Sequence, residues 1–260
     1  SAVIELRALS ETPSAIEMVD ENLLNSVAAE NANYLKDVMA TPYPKFVLLV
    51  EYDDLNEHDR HKGVKKALKI LEKYSESVFS EDDPEKQKLI WKVRDASALL
   101  SGHGIGQTNP LPLIDDGIVP PEKLASLLSA IYEQFKREHL QVAVWGHAGD
   151  ANLHVQPYLD ISQVGDRQKA FRMIEDYSAT IKQLGGSTTG QYNEGRLRGP
   201  QLAKLYPDDV FQLLTKVKKV FDPHGILNPG VKINVSTDEV KPLLRSKYSL
   251  EHIYDHLPLS

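Results

Sequence analysis

A chain of 260 residues, 41% hydrophobic and 26% charged, has enough material for one large or two small folded domains, which excludes a disordered protein. A net charge of -7 excludes a general nucleic-acid binder, because phosphate recognition needs a basic surface. With no cysteine, the chain cannot form disulfides, thiolate metal sites, iron-sulfur clusters or a cysteine nucleophile, so any metal must take N and O ligands.

Apolar residues at Ile16, Val19, Leu23, Val27, Leu35 and Val38 predict a helical N-terminal segment that ends at Pro42 and Pro44. Residues 46–52 read as a continuous apolar strand. Val64, Ala67, Leu68, Leu71 and Tyr74 mark one helix face after it, and a short strand is expected over 77–79. Pro84 opens a helix carrying Leu89, Trp91 and Arg94, and a loop rich in glycine and proline runs over 101–112. Pro121 starts an amphipathic helix through Leu124, Leu127, Ile131 and Phe135, which leads to a buried strand at 142–145. Residues 153–158 form the next strand. A helix bearing Ala170, Met173, Ile174, Tyr177 and Ile181 stops at Gly185-Gly186, where a left-handed cap is wanted, and the last core helix starts at Asp208 and ends at Asp222-Pro223. The order predicts an α+β fold: duplicated ferredoxin-like halves with a mostly antiparallel sheet and helices packed on one side. No run nears the roughly 20 apolar residues of a membrane span. A soluble, cytoplasmic location is expected, peripheral to a membrane if an electron-acceptor partner sits there.

The turn Gly146-His147-Ala148-Gly149-Asp150-Ala151-Asn152-Leu153-His154 brings two histidines to strand ends, where imidazole can serve as metal ligand or general base. A polar turn that satisfies its own groups is the plain alternative. Gly102-His103-Gly104-Ile105-Gly106 lacks the strand-turn-helix context of a dinucleotide loop and reads as a flexible loop. Residues 185–200 form a polar glycine-rich passage in which Arg196 and Arg198 could hold a carboxylate.

Gly-His-x-Gly-Asp-x-Asn-Leu-His at 146–154 is joined by Gly-Gly-x-x-x-Gly and Asn-x-Gly-Arg-Leu-Arg within 185–198, and by Phe-Asp-Pro-x-Gly-Ile-Leu-Asn-Pro-Gly at 221–230. With Trp91-Lys92-Val93-Arg94 and the run at 114–121, these resemble the C-terminal domain of FAD-linked oxidases, the family of D-lactate dehydrogenases, the glycolate oxidase flavoprotein subunit and D-2-hydroxyglutarate dehydrogenase. The resemblance covers residues 46–233. It implies an N-terminal helical segment over 1–45, a cap domain over 46–233 and a tail over 234–260. It also implies a cap that oxidises a small 2-hydroxy acid by passing its C2 hydride to FAD, which is held mainly by a separate domain outside this chain. By that resemblance Arg94, with Arg196 and Arg198, would bind substrate, and Asn228 and Asn152 would lie near the flavin. His147 and His154, with Gln191, would ligate a divalent zinc or manganese ion in members that carry one. His147, His154 and Tyr192 would be the proton-handling residues.

Where the family has Gly-Glu-His, this chain has Gly190-Gln191-Tyr192. Gln brings no charge to a dication, and tyrosine, with a pKa of about 10, is a poor base near neutrality. Ala151 replaces a family glycine, which matters if the position needs a positive φ. Three readings stay open: a working cap in which His147 or His154 supplies the base; a degenerate cap for another substrate, binding or assembly; and an unrelated metal hydrolase. A monomer and a homodimer are both open, and the electron acceptor is undetermined.

Overall fold

The computed structural model describes residues 1–53, 56–75, 77–100 and 108–244. After helix α1, Ala2–Arg7, the chain enters strand β1, Ala15–Asp20, and Asp20 then caps helix α2, Glu21–Glu30, by accepting the Leu23 amide at 2.9 Å. The helix expected from Ile16 onward therefore begins only at Glu21. The reason is tertiary. β1 is paired on both edges, to β2, Phe46–Glu51, and to β5, Val142–His147, and this pairing overrides an apolar spacing that also fits a helix.

The sheet runs β2-β1-β5-β6-β3, with β6 at Asn152–Leu159 and β3 at Asn109–Pro110, and β4, Gly117–Ile118, also pairs with β6. Every recorded pairing is antiparallel, as expected of the α+β class. β1 and β2 are joined through α2 and β4 and β5 through α5, while a tight turn joins β5 to β6.

Helices cover both faces, which corrects the one-sided packing expected from sequence. On one face Ile16, Met18, Val144 and Val155 pack with α1, α3 (Glu57–Leu71), α5 (Leu124–Arg137) and α6 (Val164–Gln183). On the other, Val19, Leu49, Ala143 and Trp145 pack with α2 and α4, Pro84–Asp95. Successive residues of a strand point to opposite faces, so the unbroken burial of residues 142–146 requires cover on both.

The strand expected at 77–79 is not formed, and Phe79 is 66% exposed. Local β-propensity without a paired neighbour does not hold so short a strand. Gly185 does take the left-handed cap, with φ 76°. The glycine loop over 102–106 and the tail from 245 lie outside the described residues. Helices α7, Leu202–Leu205, and α8, Asp208–Phe221, follow. α8 buries none of its residues: Leu213, Val217, Val220 and Phe221 are exposed, and so are Ile226 and Leu227 beyond it. α9, Thr237–Val240, starts with a capping box from Ser236 to Glu239.

Burial pushes the Asp20 carboxyl up to about 7, although the Leu23 amide and the Tyr132 hydroxyl, at 2.8 Å, both donate to it. An acid whose folded pKa exceeds its unfolded value stabilises the fold below the unfolded value, here an ordinary 3.8, and loses that contribution as pH rises through about 7. Asn caps helices as well as Asp does and carries no charge. Asp20→Asn is therefore expected to raise the melting temperature at pH above 8 by several degrees and to change it little in acid, as thermal unfolding across pH would read. Equal shifts at both ends would refute the buried-charge account.

Candidate functional site

The β5–β6 hairpin carries the histidines. His147 stands opposite Asn152 in the register and His154 opposite Trp145, so the two imidazoles are diagonal neighbours on one face, with ring centroids 6.1 Å apart. The turn between them needs two unusual backbone positions. Gly146 has φ 142°, and a Cβ there would sit 2.5 Å from the Asn152 carbonyl oxygen. Ala151 is left-handed at φ 53°, so the substitution of the family's glycine does load this position, by about 1–2 kcal/mol.

Each ring is oriented by a carboxylate that the sequence had not singled out. His147 Nδ1 lies 2.7 Å from Glu17 Oε1, and His154 Nδ1 lies 2.6 Å from Asp115 Oδ1. Glu17 belongs to β1, whose register sets Met18 against Gly146, so one further step brings Glu17 level with His147. Its other oxygen accepts Arg94 Nε at 2.6 Å, and Arg94 Nη1 donates to Ser97 at 3.0 Å. Burial raises the Glu17 carboxyl, but the bonds from His147 and Arg94 outweigh it and hold the group below the ordinary carboxylate range. In return, the Glu17 bond raises His147 above the ordinary imidazole value. Glu17 thus joins the guanidinium to the imidazole. A hollow of about 270 Å³, lined in part by Arg7, Ile16, Glu17, His147 and Asp150, opens beside Glu17 and His147.

Gln191 completes the cluster. Its Oε1 lies 3.2 Å from His147 Nε2 and 3.0 Å from His154 Nε2. The loop that carries it is pinned by Asp116, fully buried, which accepts the main-chain N–H of Gln191 and the Asn152 side chain, the latter at 3.0 Å. Gly190 is obligatory here, because a Cβ would fall 2.0 Å from Asn152 Nδ2 and 2.8 Å from Asp116 Oδ2. Asn152 is 4% exposed and sits behind the cluster.

Arg94, His147, His154 and Gln191 come together; the other sequence candidates lie around them. Arg198 is buried, and its guanidinium donates to the carbonyls of Asp116, Thr188 and Asn193. Arg196 donates to the Pro229 carbonyl at 3.0 Å, and Asn228 lies in the same exposed turn. Tyr192 is 52% exposed, with its ring 5.5 Å from that of His154. The sequence signal for Glu17 was an acidic residue between Ile16 and Met18 in an otherwise apolar run.

Among the described residues, no three His, Asp or Glu side chains converge as a metal-holding group. The converging atoms are two imidazole nitrogens and an uncharged carboxamide, while the nearest carboxylates, Glu17 and Asp115, face the Nδ1 sides. This donor set does not fit a tightly held dication. No helix among the described residues is long and apolar enough to cross a membrane.

Residues 1–231 match the family model described as FAD linked oxidases, C-terminal domain. The chain is 34% identical over 143 residues to D-2-hydroxyglutarate dehydrogenase of Haemophilus influenzae, covering 54% of this chain and 14% of that protein. It is 24% identical over 231 residues to glycolate oxidase subunit GlcD of Bacillus subtilis, covering 88% and 47%. Mitochondrial D-lactate dehydrogenase [cytochrome] of Arabidopsis thaliana shares 26% over 223 residues, covering 84% and 37%. The chain thus spans less than half the length of each of these relatives.

Proposed function

Because this chain belongs to the family of C-terminal domains of FAD-linked oxidases, we propose that it is the substrate-binding cap of an FAD-dependent dehydrogenase of small 2-hydroxy acids. The relatives' names point to D-lactate, glycolate or D-2-hydroxyglutarate as the kind of substrate. The observation that carries the reading is the Arg94–Glu17–His147 chain, a cation and a base held by one buried carboxylate whose His147 end borders a hollow of about 270 Å³.

FAD, when bound, supplies the acceptor for the C2 hydride. The described residues offer no glycine-rich strand-to-helix turn to cradle a pyrophosphate, so the flavin fits this chain as a group held by the partner domain. We place that domain against the unburied apolar face of α8. Leu213→Asp is then expected to lower flavin content in the whole protein without changing the melting temperature of this chain; full flavin content would remove α8 from the contact.

On this side of the reaction Arg94 pairs with the substrate carboxylate and sets the C2 hydroxyl toward His147 Nε2. His147 takes the hydroxyl proton as the hydride leaves, and Glu17 steadies the imidazolium that forms. Two electrons and one proton depart with the hydride, one proton stays on His147, and the product is the 2-oxo acid.

Arg94→Ala in the whole protein is expected to lower kcat/KM about 10- to 100-fold, the loss of a charge-assisted bond, with Arg94→Lys falling between. An unchanged kcat/KM for every 2-hydroxy acid tried would remove Arg94 from the site. Gln191 and Tyr192 favour a second reading, a cap of the same fold used for binding or assembly. Inertness of the wild-type protein toward 2-hydroxy acids, with flavin bound, would favour it.

A further inference from the structure

The hydrogen-bonding roles around Gln191 are overdetermined. With Glu17 and Asp115 each accepting from an imidazole Nδ1–H, a neutral His147 or His154 has only a bare lone pair at Nε2. Both lone pairs face the terminal group of Gln191, whose Oε1 is placed at 3.2 and 3.0 Å. A carboxamide oxygen there would set three acceptors against one another. The alternative, a proton on both Nε2 atoms, would place two imidazoliums with centroids 6.1 Å apart. A carboxamide nitrogen has two hydrogens for two acceptors, and the oxygen and nitrogen exchange places by a half-turn of the terminal torsion.

We infer that Gln191 turns its NH2 to the histidines and binds both Nε2 atoms, filling with two hydrogen bonds the position where three converging ligands would otherwise hold a divalent cation. The site is then metal-independent, and Gln191 is a positioning residue. His154, 4% exposed and closer to the carboxamide, stays bound. His147, half-buried with the longer bond, is the ring that exchanges Gln191 for the substrate hydroxyl. This last step rests on the proposed dehydrogenase reading; the assignment of Gln191 does not.

The experiment is metal content by elemental analysis. The whole protein carrying this chain is stripped with chelator and dialysed against zinc or manganese, as wild type, Gln191→Glu and Gln191→Glu with His154→Ala. Expected are no stoichiometric metal in the wild type, one equivalent in Gln191→Glu, and its loss in the double variant. A wild type that takes up one equivalent and loses it in His147→Ala would make the carboxamide oxygen a ligand and overturn the inference. Failure of Gln191→Glu to gain metal while its melting curve stays intact would show that the two Nε2 atoms do not converge, which overturns it too. Long-range proton-nitrogen spectra of the wild type at alkaline pH give an independent reading: both rings should carry their proton on Nδ1, and an Nε2-protonated ring would refute the assignment. Neither measurement uses turnover, so each can fail while the dehydrogenase reading stands.

Discussion

His147→Ala is expected to lower kcat/KM in the whole protein by roughly 10²- to 10⁴-fold, the range that a positioned general base contributes, while the flavin spectrum stays unchanged. The ring is half-buried at the end of β5, so its removal opens little of the core. What it removes is the acceptor for the hydroxyl proton. The pH profile gives the finer check. His147 must be neutral to act, and its pKa is raised by the Glu17 bond, so activity should climb with pH and level off above the ordinary imidazole value. Glu17→Gln withdraws that bond and should shift the inflection to lower pH. The same pair governs stability in the opposite sense: a raised base stabilises below its unfolded value and loses that contribution as pH rises through the folded one. Glu17, being lowered, loses its contribution as pH falls. A parent rate in His147→Ala would remove the residue from the chemistry.

Arg198→Ala should cost about 3–5 kcal/mol of stability, read as a fall in melting temperature on the order of 10 °C. The guanidinium is 5% exposed and gives its protons to three carbonyls, of Asp116 at 3.1 Å, Thr188 at 2.9 Å and Asn193 at 2.8 Å. Burial lowers its pKa, and the charges of Asp116, Glu194 and Asp115 work against that. Without it the carbonyls are stranded and Asp116 keeps a buried charge with less to balance it. Lysine cannot fork to three carbonyls, so Arg198→Lys should recover only part of the loss. A cost under about 1 kcal/mol would mean that water reaches the loop and replaces the guanidinium.

Periodicity showed α3, α5 and α6 because a helix with one covered stripe writes that stripe into its sequence. It failed at β1, where Ile16 and Val19 fit either period and only pairing with β2 and β5 decides. Cover on both faces of the sheet is legible in the unbroken apolar run at 142–145, since a strand covered on one face alternates. At the site, the histidines are legible because they flank a glycine-containing turn between two apolar runs. Glu17 is not, being 130 positions from His147, and Asp115 lies 39 from His154. Chain separation hides such partners, and a charge in the middle of an apolar strand is the trace they leave. Arg198 was legible as a charged loop residue, but its enclosure by three carbonyls follows from how the loop folds back.

Asp115 and Asp116 face different tasks from adjacent positions. The first steadies His154, and the second anchors the backbone that bears Gln191. One dipeptide therefore contacts both the imidazole of His154 and the backbone that bears Gln191, and so helps set the separation between them.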